Sequence, residues 1–353
     1  MCWGGGGGGR LLQFGLQWEH VYSGKWILDI VSKGYHIEFT SPPPLLGGGK
    51  VTQIPSHQDQ RVVLESEIDQ LLLKRAIVRV SDQVGPLYLS FFLAPKKPNS
   101  WRPILNLRPL NSAHIRPKHF RMENLAVILP FLSKQMWAAS LDLQDAYLHI
   151  PIAEDNQQYL AFRYKGQSYK FRSLPFGLST APRVFTMVTR VVIAHLRRQG
   201  ITLFAYLDDW LILGNSPELA SAAVNRTVRL LQSLGWLINE GKSHLTPTTS
   251  IQFLGACLDF NQGRITPSQE RIKSLRLVVL QLASAPSHPA STWMRALGMM
   301  ASMVDIVPLC RLRMRPLQFH LLTYFKPSSG DLKVKIFLSK AVLPHFLWWS
   351  DSY

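Results

Sequence analysis

Three aspartates set in apolar surroundings carry most of the chemical information in this sequence. Asp208 and Asp209 stand side by side in FAYLDDWLIL, with Phe204, Ala205, Tyr206 and Leu207 before them and Trp210, Leu211, Ile212 and Leu213 after. Asp142 interrupts a similar run, WAASLDLQDAYLHIPI, between Leu141 and Leu143. Taking a carboxylate out of water without a partner is costly, so acids in such runs need a reason to be there. Adjacent carboxylates also repel, and one pKa rises unless a cation neutralises the pair. Brought together from two strands, the three acids form an oxygen-ligand set suited to Mg²⁺, which is held by one or two carboxylates plus substrate phosphates. The chemistry is displacement at phosphate, with paired ions stabilising the attacking and leaving oxygens.

The elements around the acids follow from periodicity. Two β-prone runs flank Asp208 and Asp209, which predicts a hairpin with these two residues as its loop. Such loops prefer Asn-Gly or Asp-Gly, so Asp-Asp breaks a local rule, as functional sites do. Residues 87 to 108 alternate in strand fashion about Pro98, Asn99 and Ser100, giving a basic hairpin. Lys97 and Arg102 lie on opposite sides of that turn, where a point charge and a planar fork could converge on one polyphosphate; Lys96 is an alternative one residue out of phase. An amphipathic helix is predicted over Asp59 to Arg79, and another is framed by Pro182 and Gly200 with a basic last turn. A third has Ser216 as cap, Pro217 in its first turn and Gly235 as its stop. A fourth starts with Thr266-Pro267-Ser268-Gln269 read as a capping box. Strands alternating with helices, then a helical region after residue 265, predict an α+β fold.

Taken in order, KKP with WRPI (residues 96 to 104), LDLQDAY (141 to 147), LPFGLSTAP (174 to 182), YLDD (206 to 209), GWLINEGKS (235 to 243) and FLG (253 to 255) resemble the consecutive motifs of a retrotransposon reverse transcriptase, DIRS-like or Ty3/gypsy-like. PFGLSTAP and GWLIN-x-x-KS lean toward the DIRS-like form. The resemblance implies a right-hand polymerase with palm, fingers and a helical thumb. It also implies an RNA-directed DNA polymerase, transferring nucleotides from dNTPs to a primer 3′-hydroxyl on an RNA or DNA template.

Site roles come with the resemblance. Asp142, Asp208 and Asp209 are the expected catalytic residues and, with the Leu143 carbonyl, the expected ligands of two Mg²⁺ (or Mn²⁺) ions. Lys97 and Arg102 fall on the triphosphate. Tyr147 abuts the sugar, where its ring would clash with a 2′-hydroxyl and favour deoxynucleotides. Phe176 lies beside the nascent base pair, in place of the retroviral glutamine, and Gly177 lets backbone approach the ligand. Lys242 matches a lysine that assists departing pyrophosphate, and Phe253, Leu254 and Gly255 a turn that grips the primer end. Asp145 reads as structural, capping the helix opened by Ala146.

Composition agrees with a polyanionic partner, here template-primer. The 353 residues carry 39 Lys and Arg against 22 acids, a formal charge of +17, and 46% hydrophobic residues suffice for real cores. No apolar stretch approaches the roughly 18 to 20 residues of a spanning helix, and MCWGGGGGGR lacks the apolar core of a signal peptide, so no membrane role is expected. Cys2, Cys257 and Cys310 lie far apart, indicating neither a disulfide framework nor a zinc module. An intracellular location, cytoplasm or nucleus, is expected. The predicted organisation is a flexible Gly-rich leader and extended lead-in over 1–55, fingers and palm over 56–265, a helical thumb or connection over 266–325, and the truncated start of an RNase H-like region over 326–353. An RNase H site needs four acids, and only Asp305, Asp331 and Asp351 follow Glu270, so that activity is not expected of this fragment; the RNase H region of a full-length element, alone or together with a recombinase region, is expected to be missing from it. The alternative function is a catalytically silent, nucleic-acid-binding relic of a retrotransposon polyprotein.

Overall fold

The apolar runs that flank the three aspartates form one sheet. In the computed structural model, which describes residues 6–44, 51–81, 88–97, 100–326, 328 and 330–351, two units separate: residues 1–123 with 139–247, and 124–138 with 248–353.

The first unit opens with short helix α1 (Gly15–Glu19), α2 (Lys25–Lys33) and α3 (Gln58–Leu73). A five-stranded sheet follows, built from β1 (Ile77–Val80), β2 (Tyr88–Lys97), β3 (Ser100–Asn106), β5 (Ala161–Tyr164) and β6 (Gln167–Phe171) in the order β1-β6-β5-β2-β3. The basic hairpin is its β2–β3 edge, paired from Ser90↔Asn106 to Lys97↔Ser100. A short helix, α4 (Arg108–His114), follows this hairpin. The second sheet has the order β7-β8-β4-β9, from β4 (Trp137–Asp142), β7 (Thr202–Tyr206), β8 (Asp209–Gly214) and β9 (His244–Thr248).

Two helices serve this sheet. In α6 (Ala181–Arg198), Pro182 occupies the first turn, where its missing N–H has no helical partner to lose. Val184, Phe185, Val188, Val192, Ile193 and Leu196 form its buried stripe, and Arg197 and Arg198 close its negative end. In α7 (Pro217–Ser233) the Ser216 hydroxyl accepts from the Leu219 N–H, as the sequence predicted. Aromatic packing ties the core together: Trp18 meets Trp236 at 6.5 Å, Trp236 meets Phe185 at 5.6 Å, and Phe185 meets Tyr147 at 5.3 Å between ring centroids.

The second unit holds short α5 (Leu125–Ile128), the sheet β10 (Ser250–Phe253), β11 (Ala256–Asp259) and β12 (Arg264–Pro267), and the helices α8 (Gln269–Ala283), α9 (Ala290–Ala301), α10 (Cys310–Tyr324) and α11 (Leu343–Asp351). A two-stranded ribbon, β13 (Ser287–Pro289) with β14 (Lys335–Phe337), completes it. The fold is α+β.

Four expectations change. The glycine run is not a flexible leader from Gly6 onward: Gly8 N–H donates to the Lys74 carbonyl at 2.8 Å and Gly9 N–H to the Leu148 carbonyl at 2.7 Å. The missing side chains at Gly6 and Gly8 let the backbone lie against its neighbour; a Cβ at Gly6 would stand 2.2 Å from Lys74 Cα and one at Gly8 2.4 Å from Ala76 N. The helix predicted to Arg79 ends at Leu73, because Ile77–Val80 pairs with β6 instead. Thr266 and Pro267 belong to β12, so the cap of α8 is Ser268, whose hydroxyl accepts from the Arg271 N–H. The hairpin loop is one residue earlier than predicted: Tyr206 pairs with Asp209, leaving Leu207 and Asp208 as the two turn residues.

Candidate active site

Each acid is placed by strand ends. Asp142 is the last residue of β4, buried, and its own N–H donates to the Ser243 hydroxyl at 3.0 Å. Asp209 begins β8, and Asp208 occupies the turn before it. The two segments are joined directly: the Leu143 N–H donates to the Asp208 carbonyl at 3.1 Å. Asn239 N–H donates to the Asp142 carbonyl at 2.9 Å, and Leu143 bridges Ile238, so the GWLINEGKS segment closes the other side. The Leu207–Asp208 turn has Leu207 at φ 55, the left-handed region that disfavours a side chain.

The three acids act on one another electrostatically. Burial pushes the Asp142 carboxyl above its ordinary value; Lys242 pulls it back, Asp208 adds to the rise, and an Asn239 hydrogen bond opposes it. Asp209 is pushed up to about 6, by desolvation first and then by Asp208 and Asp142, with Lys242 again opposing. Asp209 keeps an exposed edge, and the repulsion from two neighbouring carboxylates adds to the effect of burial. Lys242 is thus the cation that both feel. Tyr147, next in space, has its hydroxyl pushed up to about 12 by burial, Asp208 and Tyr206. Among the described residues no three His, Cys, Asp or Glu side chains stand as a preformed ion cage. The clustering is one of charge rather than of finished coordination geometry.

Beside the acids lies a cavity of about 450 Å³, lined by Arg102, Leu105, Leu148, Phe176 and Gly177 among others. Tyr147 connects it to the acids, with its ring 5.0 Å from that of Phe176, which is 55% exposed. Gly177 has φ 94, and its carbonyl accepts from the Asn111 amide at 2.9 Å; Asn111 also receives the Ser179 N–H. Its glycine is needed for conformation, since a Cβ would meet only ordinary contacts. Lys97 pairs with Ser100 through its backbone, and its side chain lies outside the described residues.

One predicted placement differs. Asp145 precedes the short helix at Ala146–His149 but makes no cap hydrogen bond; it has φ 56, and its carboxylate pairs with Lys74 Nζ at 2.6 Å. Phe253, Leu254 and Gly255 end β10 and turn into β11, in the second unit. Sequence reading overlooked Asn239 and Ser243, which hold Asp142 by long-range hydrogen bonds and are tied to each other by Ser243 Oγ donating to the Asn239 carbonyl at 2.7 Å; no local pattern marks them. It also overlooked His149, fully buried, whose Nε2 accepts from the Leu237 N–H at 3.0 Å. Burial lowers the pKa of this imidazole to about 4 and keeps it neutral.

Comparison with known proteins bears on the family and the fold. Residues 94–258 match the family described as reverse transcriptase (RNA-dependent DNA polymerase). Protein P of duck hepatitis B virus (strain United States/DHBV-16) is 31% identical over 160 residues, 45% of this chain and 19% of that protein. The transposon Tf2-3 polyprotein of Schizosaccharomyces pombe is 25% identical over 209 residues, 59% of this chain and 15% of the polyprotein, and bears on the Ty3/gypsy-like alternative. The chain thus spans about a fifth or less of these relatives' length. The structure of a foamy viral protease-reverse transcriptase dRH in complex with double-stranded DNA superposes with a TM-score of 0.68 at 19% identity, covering 89% of this chain and 52% of that one. The same viral protein in complex with an RNA/DNA hybrid gives 0.66 at 18% identity, covering 89% and 40%. The chain has the fold of these reverse transcriptases, and its residues 94–258 match a reverse transcriptase domain.

Proposed function

We propose that this chain is the polymerase part of a retroelement RNA-directed DNA polymerase, extending a primer 3′-hydroxyl with dNTPs on an RNA or DNA template. The observation that carries the proposal is the junction of Asp142 with the Leu207–Asp208 turn through the Leu143 to Asp208 hydrogen bond, with Lys242 acting on Asp142 and Asp209 against their neighbouring carboxylates. That donor set fits divalent cations: it is all oxygen, carries excess negative charge, and raises two of its own pKa values in their absence. Asp142, Asp208 and Asp209 would hold two Mg²⁺ (or Mn²⁺) ions, with the Leu143 carbonyl as a further ligand. Bound there, the ions would lower the pKa of the primer hydroxyl and neutralise the leaving pyrophosphate.

The chain's own groups do the rest. Arg102 supplies a fork for polyphosphate at the cavity rim, with Lys97 on the paired strand. Phe176 and Tyr147 offer apolar faces to base and sugar, and Tyr147 selects against a 2′-hydroxyl. Lys242, already beside Asp142 and Asp209, is placed to neutralise pyrophosphate as it leaves. Phe253, Leu254 and Gly255 grip the primer end, within fingers and palm over 56–265 followed by a thumb over 266–325. Primer extension on poly(rA)/oligo(dT) with dTTP and Mg²⁺ or Mn²⁺ tests the reading. Synthesis abolished by Asp208→Asn supports it; tight template-primer binding without synthesis by the parent chain would establish the silent relic instead.

A further inference from the structure

Away from the acids, α6 lays a second chemically distinct surface against the N-terminal helices. Its face opposite the buried stripe carries Arg183, Met187, Arg190, Val191, Ala194 and Arg198, positions that recur every three to four residues. With Tyr22, Trp26 and Ile27 these residues line a groove of about 610 Å³, larger than the cavity beside the acids. Tyr22 and Trp26 are each 38% exposed, although rings of this size gain by burial. The Arg183 guanidinium lies 5.7 Å from the Trp26 ring centroid and 3.5 Å from a Glu38 carboxylate oxygen, so Trp26 is held at a set angle with one face committed. Arg190 and Arg198 are exposed and make no ion pair with any described residue. At 1.5 Å rise per residue they stand about 12 Å apart along the helix.

We infer that this groove is a binding track for single-stranded nucleic acid, separate from the acid-bearing site. Charge complementarity selects the occupant: the lining has three guanidinium groups and no carboxylate, and Glu38, next to Arg183, is already paired with both Arg183 and Lys118. Bare arginines attract phosphates, while an exposed indole and phenol give bases a stacking face that tolerates any sequence. A protein partner or a second copy of this chain would leave Arg190 and Arg198 unpaired unless it brought acids, and this chain is itself strongly basic. The inference rests on the proposed handling of nucleic acid only for its biological sense, as an anchor for unpaired template; the groove's chemistry stands on its own residues.

The test is fluorescence anisotropy of a labelled 12-nucleotide single-stranded RNA on the full chain across a salt series, with primed duplex as unlabelled competitor. The double variant Arg190→Ala, Arg198→Ala should weaken binding about tenfold or more and flatten the slope of log K against log salt by about 1.4, from two lost phosphate contacts. Arg190→Lys with Arg198→Lys should keep the slope, and Trp26→Ala should weaken binding about tenfold with the slope unchanged. Duplex should leave part of the single-strand binding in place. Unchanged affinity and slope in the alanine variant, with its thermal melt intact, overturns the inference; so does full competition by duplex, or a self-association that the alanine variant abolishes. Primer extension is scored separately, so loss of synthesis alone counts against the polymerase reading and leaves the groove untouched.

Discussion

Two β-hairpin tips in this chain use the same unusual device and differ in what they carry. In β7–β8 the turn is Leu207-Asp208, between Tyr206 and Asp209; in β10–β11 it is Leu254-Gly255, between Phe253 and Ala256. Both place leucine in the left-handed region, at φ 55 and φ 48. In the second, Gly255 takes φ 72 without penalty, and both central residues have the positive φ that suits the twist of a hairpin. The first has an aspartate where the other has glycine, and its neighbour Asp209 is pushed up to about 6 by burial and nearby charge. One tip accepts backbone strain and makes a tight turn; the other accepts strain and charge repulsion together. Only the combination of strain and charge repulsion would be relieved further by a bound cation, beyond what Lys242 supplies.

The largest expected contrast is in synthesis. Asp208→Asn should lower primer extension by about 10²-fold or more, near 3 kcal/mol of transition-state stabilisation, while leaving the thermal melt at or above that of the parent. Gly255→Ala should do the reverse in kind, destabilising by about 1–2 kcal/mol in urea unfolding, because φ 72 strains any Cβ. A smaller contrast concerns the leucines. Leu207→Gly and Leu254→Gly should each stay within about 1 kcal/mol of the parent, as relief of strain offsets lost contacts and backbone entropy. Leu203→Gly, in β7 and fully buried, should cost at least about 3 kcal/mol.

The smallest effect is in pH dependence. Between the ordinary carboxylate value of 3.8 and about 6 the folded chain binds a proton at Asp209 that the unfolded chain does not. This group therefore lowers stability as pH rises through that window. His149, lowered from 6.5 to about 4, acts with the opposite sign, raising stability as pH climbs from about 4 to 6.5. Melting temperatures of Asp209→Asn minus those of the parent cancel His149, and the difference should grow from pH 4 to pH 7.

Much of the site was legible in the sequence because its chemistry violates local rules. Acids in apolar runs, proline in first turns and a serine before Pro217 each act within a few residues of themselves. The turn was misplaced by one residue because its register depends on cross-strand pairing and on the Leu143 to Asp208 bond, neither of which propensity can see. Asn239 and Ser243 were missed for the same reason: each looks like an ordinary loop residue until the chain brings Asp142 about a hundred positions back to it. The glycine run was misread because composition reports what a segment cannot bury, while docking depended on a flat partner backbone at Lys74 to Ala76. The α6 groove had no local signature, since Tyr22 and Trp26 come from far outside that helix.

The coupling of Asp142 to the Asp208–Asp209 tip can be read directly by NMR titration of the Asp209 carboxyl in the metal-free parent and in Asp142→Asn. Removing one negative neighbour should move the Asp209 midpoint down from about 6 toward the ordinary carboxylate value. A midpoint that does not move would mean the two strands carry their acids independently, and the shared site would be lost.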